Sequence, residues 1–137
     1  MGEAADGAEE LRIRTRLFAI RVLQAYRSMK ACPETRVLGG QMLRAGTSVA
    51  ANYRASCRAR SRREFISKLG TVCEEADETQ FWLDLFIEAG MLHRVRTLPL
   101  LDEAGQLTAI FSASLRTARS HDLQTKQDAP RSVKKPP

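Results

Sequence analysis

The chain has 137 residues, 43% of them apolar, with a formal net charge of +6 and an isoelectric point near 9.7. This composition describes one folded domain with a modest core, excludes wholesale disorder, and raises the prospect of an acidic partner. Cys32, Cys57 and Cys73 are odd in number and lack paired spacing, which argues against a disulfide scaffold and for a reducing cytoplasm. No run of about 18 apolar residues is present to span a membrane.

Residues 1–9 (MGEAADGAE) are small and acidic. They read as a flexible lead-in without the apolar stretch of a secretory signal. A first helix is predicted from about Glu10. Leu11, Phe18, Val22 and Ala25 form its stripe, and Arg12, Arg16 and Arg27 are among its polar residues. Pro33 ends it.

A second helix is expected over 34–59, with Leu38, Met42, Ala45, Val49 and Asn52 along its seam. Gly39 and Gly40 weaken its first turns. Small residues between Ala45 and Ala55 make it thin, which permits close backbone approach. Asn52 on this seam needs partners to offset burial. The expectation is a buried polar cluster of Ser48, Asn52, Glu75, Glu78 and Thr79 that fixes helix register.

Ser61-Arg62-Arg63-Glu64 has the form of a capping box opening a third helix. Phe65, Leu69, Val72, Ala76, Thr79, Leu83 and Phe86 recur at heptad-like spacing, and Gly90 suits the position just past the end. Phe81, Trp82 and Leu85 fall on other faces than Leu83 and Phe86. A helix apolar on more than one face is central or buried in an oligomer, so these three are the expected oligomer interface. A fourth helix is predicted from Thr97 and Pro99 to about 119, followed by a disordered basic tail over 120–137. Four amphipathic helices with short connections give an all-α, antiparallel up-down-up-down four-helix bundle over 10–119.

Charge is segregated along the chain. From Arg36 to Arg63 there are seven arginines and no acid, and from Glu64 to Gly90 seven acids and one base, Lys68. Two readings follow: pairing between helices or subunits, or a basic surface for RNA or DNA. Arg54, Arg58, Arg60, Arg62 and Arg63 are the candidate nucleic-acid-binding residues; Tyr53 beside them could stack on a base, but a tyrosine at a seam edge is more often a packing residue. No catalytic group is expected, since Cys57 has no acid–His partner. No metal site or cofactor is expected either. His93 and His121 each lack an acid three residues earlier, and Gly39-Gly40 is not followed by the Lys-Ser/Thr of a phosphate loop.

Arg44-Ala45-Gly46-Thr47-Ser48-Val49-Ala50-Ala51-Asn52, Ser61 to Phe65, Lys68-Leu69-Gly70, Glu75-Ala76-Asp77-Glu78-Thr79 and Trp82-Leu83 together resemble the bacterial four-helix-bundle family labelled S23 or 23S rRNA intervening-sequence protein. Tyr53-Arg54-Ala55-Ser56 stands where many relatives carry Ile-Ala-Glu-Gly, so the chain is similar to a Tyr-Arg variant. The resemblance implies a non-enzymatic homo-oligomer, typically a pentamer in relatives. It also implies likeness to the accessory variability protein of diversity-generating retroelements, a basic pentamer that contacts reverse transcriptase and nucleic acid. The family name refers to where the genes lie, within ribosomal RNA genes. The leading expectation is a self-assembling bundle with a basic surface for RNA, DNA or a reverse transcriptase-like enzyme; the alternative is an interaction scaffold with no nucleic-acid role.

Overall fold

The computed structural model describes residues 2–130. Four helices account for nearly all of them: α1 (Gly2–Ser28), α2 (Pro33–Cys57), α3 (Arg62–Glu88) and α4 (Arg94–Asp128). There is no strand among the described residues.

The helix ends follow local chemistry. Pro33 begins α2 at a position where a missing N–H costs nothing. Ser61 caps α3, its Oγ accepting from the Glu64 N–H at 3.1 Å. Glu64 reaches back to the Arg60 N–H at 3.0 Å, one residue earlier than the usual box. Gly90 closes α3 with φ +74°. The Met91 N–H donates to the Phe86 carbonyl and the Gly90 N–H to that of Ile87, the pattern of a Schellman motif. His93 caps α4, its Nδ1 accepting from the Arg96 N–H at 3.3 Å.

Two helices are longer than the sequence suggested. α1 starts at Gly2 rather than near Glu10, because Ala4, Ala5 and Ala8 carry the helix through its acidic start. α4 begins at Arg94, ahead of Thr97, with Pro99 inside the helix, and it continues past Ser120 to Asp128. Of the tail expected to be disordered, residues 131–137 lie outside the described residues.

Contacts between neighbours run in opposite directions along the chain. Val22 and Tyr26 of α1 meet Gly46 and Gly39 of α2. Arg44 of α2 meets Glu75 and Glu78 of α3, while the later Arg54 and Arg58 lie beside the earlier Glu64 and Lys68. Gln80 and Cys73 of α3 meet Gly105 and Ser112 of α4. Each pair is therefore antiparallel, as expected. α2 packs on α1 and α3, and α3 on α4, whereas α1 touches α4 only lightly. The α1–α4 side is held by Arg14, whose guanidinium donates to Glu103 at 3.0 Å and to Gln106 at 2.8 Å. Phe18, Val22, Met42, Val49, Leu83, Phe86 and Phe111 fill the centre. No helix among the described residues is long and apolar enough to cross a membrane.

The thinness of α2 has a specific use. A Cβ on Gly46 would lie 2.7 Å from a methyl of Val22, and one on Gly39 would lie 2.9 Å from the Tyr26 ring. Both glycines are buried, so the two helices approach at distances no other residue allows. Gly40 has open space around it. Neighbouring glycines should therefore respond oppositely to alanine. Gly46→Ala is expected to destabilise by about 1–3 kcal/mol through overpacking, and Gly40→Ala to stabilise by about 0.5–1 kcal/mol through helix propensity. Chemical denaturation of both variants checks this; equal shifts of one sign would contradict it.

Candidate anion-binding surface

The α2 seam departs from expectation at its last turns. Ala45 and Val49 are buried as predicted, but the next buried residues are Tyr53 and Ser56. The Tyr53 ring packs on Phe111 with centroids 5.3 Å apart, and burial pushes its phenol pKa above the ordinary value. Asn52 is only half-buried. Its side-chain Nδ2 donates to the Ser48 carbonyl in its own helix at 3.0 Å, so it is satisfied without reaching α3.

The expected polar cluster is thus divided. Thr79 is buried and its hydroxyl donates to the Glu75 carbonyl at 2.7 Å. Glu75 and Glu78 face a residue the cluster had omitted, Arg44. Its Nη1 donates to Glu75 at 3.1 Å and its Nη2 to Glu78 at 2.7 Å. Glu78 also accepts from Trp82 Nε1 at 3.3 Å. The Arg44 guanidinium holds the Glu78 carboxyl below its usual range. A guanidinium forking two carboxylates one turn apart was legible in the spacing of Glu75 and Glu78 on a neighbouring helix.

Arg44 is the sole arginine of the 36–63 run whose side chain pairs with an acid of α3 among the described residues. The guanidinium groups of Arg54, Arg58, Arg60 and Arg63 make no hydrogen bond or ion pair there. Arg62 instead donates to the Ala118 carbonyl of α4 at 3.2 Å. All five are exposed.

Arg54 and Arg58 form a ridge between two grooves. The first, about 660 Å³, lies between α1 and α2; Ile13, Ala50 and Ala51 line it with Arg12 and Arg16 of α1 facing the ridge. The second, about 540 Å³, lies between α2 and α3, with Arg60 and Lys68 beyond the ridge. Arg63 lines neither. Within the grooves the acids are Glu9, which pairs with Arg12, and Glu64, engaged at the α3 cap. The structure therefore keeps three of the five candidate arginines together and adds Arg12, Arg16 and Lys68. The missed signal was the matching four-residue spacing of Arg12/Arg16 and Arg54/Arg58 on adjacent antiparallel helices. Apart from Arg12, these cations have no acid partner among the described residues, and unneutralised cations lining concave surfaces attract and hold anions.

A second surface lies on the outer side of α3. Phe81 is 57% exposed and Leu85 37%, with Trp82 half-buried and stacked on Phe86. Exposed Glu74, Asp77, Asp84 and Glu88 surround them. Around Arg12 and Arg16 the partner pattern appears on α1, where Ile13, Leu17 and Ile20 are exposed.

Over residues 10–113 the sequence matches the family described as 23S rRNA-intervening sequence protein, and the chain belongs to that family. The matched span includes every groove residue named above except Glu9. The structure is similar to that of a protein of unknown function from the S23 ribosomal protein family of Bacteroides thetaiotaomicron, with a TM-score of 0.71 and 28% identity over 80% of this chain and 97% of that one. No curated protein matches the sequence.

The Arg44 fork is partly exposed, so its contribution is screened. Arg44→Gln is expected to cost less than about 1 kcal/mol and to let the Glu78 pKa rise towards its ordinary 4.5. A depressed carboxyl stabilises above its unfolded pKa and ceases to do so as pH falls through its folded value. The stability gap between wild type and variant should thus close on acidification below pH 4.5. NMR titration with denaturation at each pH measures both; a gap unchanged into strong acid would contradict the assignment.

Proposed function

We propose that this family member is a non-enzymatic binding module that holds nucleic-acid phosphates along the Arg54/Arg58 ridge. The observation that carries the reading is the division of labour among the arginines. Arg44 alone meets the acids of α3, while Arg54, Arg58 and Arg60 line open grooves with unpaired guanidinium groups. Phosphate is the anion that arrives as a repeating array, and an array of cations answers it. The ridge contains no base-reading motif, so binding there is tolerant of sequence and sensitive to salt. The Tyr-Arg variation acquires a physical meaning on this reading. Tyr53 joins the core, Arg54 adds a base at the ridge, and Ala55 stands where many relatives carry an acid. Likeness to the accessory variability protein extends the proposal to a nucleic-acid enzyme, such as a reverse transcriptase, acting in the cytoplasm beside the bundle.

A second reading rests on the α3 surface. Its apolar residues lie among acids, and the exposed apolar stripe of α1 lies beside Arg12 and Arg16, with Glu9 and Glu10 at its N-terminal end. Such complementary faces suit head-to-tail contact between copies, which closes into a ring such as a pentamer. In that case the arginines serve assembly and the protein is a homo-oligomeric scaffold.

Arg54→Gln with Arg58→Gln separates the readings. Fluorescence anisotropy with a labelled single-stranded RNA should show at least about tenfold weaker binding and a salt slope reduced by about 1.4, roughly 0.7 for each phosphate contact removed. Light scattering should show the same particle mass. Loss of assembly with unchanged RNA binding would overturn the leading reading. Phe81→Ser with Leu85→Ser is expected to dissociate the particle into monomers; an unchanged mass would contradict the α3 face as the contact.

A further inference from the structure

The light contact between α1 and α4 leaves a cleft of about 670 Å³ at the end of the bundle where α1 starts and α2 ends. It is lined by the Tyr53–Phe111 pair, the half-buried Phe65 and buried Leu69, with Arg60 and Arg62 among its polar residues. Neither groove of the arginine ridge contains an aromatic residue, whereas this cleft has three in its walls: Tyr53 and Phe111 buried behind it and Phe65 half-exposed. Arg60 lines both the cleft and the α2–α3 groove. The aromatic cleft therefore opens directly off the basic surface.

The geometry points to a base pocket: the cleft receives one unstacked base of a single-stranded nucleic acid, with Phe65 offering a ring and Arg60 holding the adjacent phosphate. This inference rests on the phosphate reading of the ridge and deepens it by naming the strand class. Four features support it. The volume falls within the roughly 300–1,000 Å³ of small-ligand pockets. The lining joins apolar aromatic surface to a cation, which matches a base joined to a phosphate. Base–aromatic stacking tolerates any base, in keeping with a surface that carries no sequence-reading motif. Arg60 is free to bind, since its side chain has no partner among the described residues, whereas Arg62 is held by the Ala118 carbonyl. A paired base within a duplex would first have to leave its stack, so the cleft selects unpaired strands.

The test compares a labelled oligouridine octamer with an octamer of the same phosphate count in which every base is replaced by an abasic unit. Wild-type protein is expected to bind the oligouridine at least about fivefold more tightly. Phe65→Leu, which keeps an apolar side chain but removes the ring, should bring the two strands to within about twofold. Equal wild-type affinity for both strands would overturn the base pocket while leaving the phosphate ridge intact. Failure of the wild type to bind either strand at low salt would overturn the ridge as well. Displacement of the octamer by uridine monophosphate at comparable concentration would make this a free-nucleotide site and overturn the strand assignment.

Discussion

The close approach of α1 to α2 at Gly46 is the constraint on which the rest of the molecule depends. The Val22 methyl groups occupy the space that any Cβ at position 46 would need. With the two helices drawn together there, and again at Gly39, their continuations run alongside each other. That is how Arg12 and Arg16 come to face Arg54 and Arg58 across one groove. The small-residue half of α2 and the arginine-rich half that follows are thus two parts of one device. The first sets the spacing between helices, and the second uses that spacing to assemble a basic concavity from two helices.

Charge is allocated with similar economy. Arg44 forks onto Glu75 and Glu78, and Arg14 bridges to Glu103 and Gln106 on the sparsely packed side. These two arginines tie helix to helix. The arginines near the α2–α3 corner do not: α3's first turns offer only Glu64, which is engaged at the helix cap. A cation whose local acid is already committed remains available to an external anion. The separation between structural and available arginines follows from register, since the acids of α3 are concentrated from Glu74 onward and lie opposite the middle of α2 rather than its end.

Much of the fold was legible in the sequence because its signals were local. Heptad-like spacing marked the buried face of α3 from Leu69 to Phe86, with Phe65 left half-buried at its edge, and Ser61 marked its start and Gly90 its end. What could not be read depended on relations between helices. Asn52 sits on the extrapolated seam of α2, but the helix turns Tyr53 inward instead, where its ring meets Phe111. Arg12 and Arg16 looked like ordinary polar-face residues until α2 was laid beside them. Arg62 was indistinguishable in sequence from Arg60, and the nearby Ala118 carbonyl separates them. The aromatic cleft had no signal along the chain, because Phe65, Tyr53 and Phe111 come from three different helices.

The central claim is that the ridge and its two grooves hold phosphates as a set. The dependence of nucleic-acid affinity on salt measures this most directly, because each neutralised phosphate releases counterions. Titrating the wild-type protein with single-stranded RNA across a series of potassium chloride concentrations gives the slope of log K against log salt. Arg16, Arg54, Arg58, Arg60 and Lys68 acting together predict a slope of about −3.5 at roughly 0.7 per contact. A slope near zero, or no binding at low salt, would contradict the account.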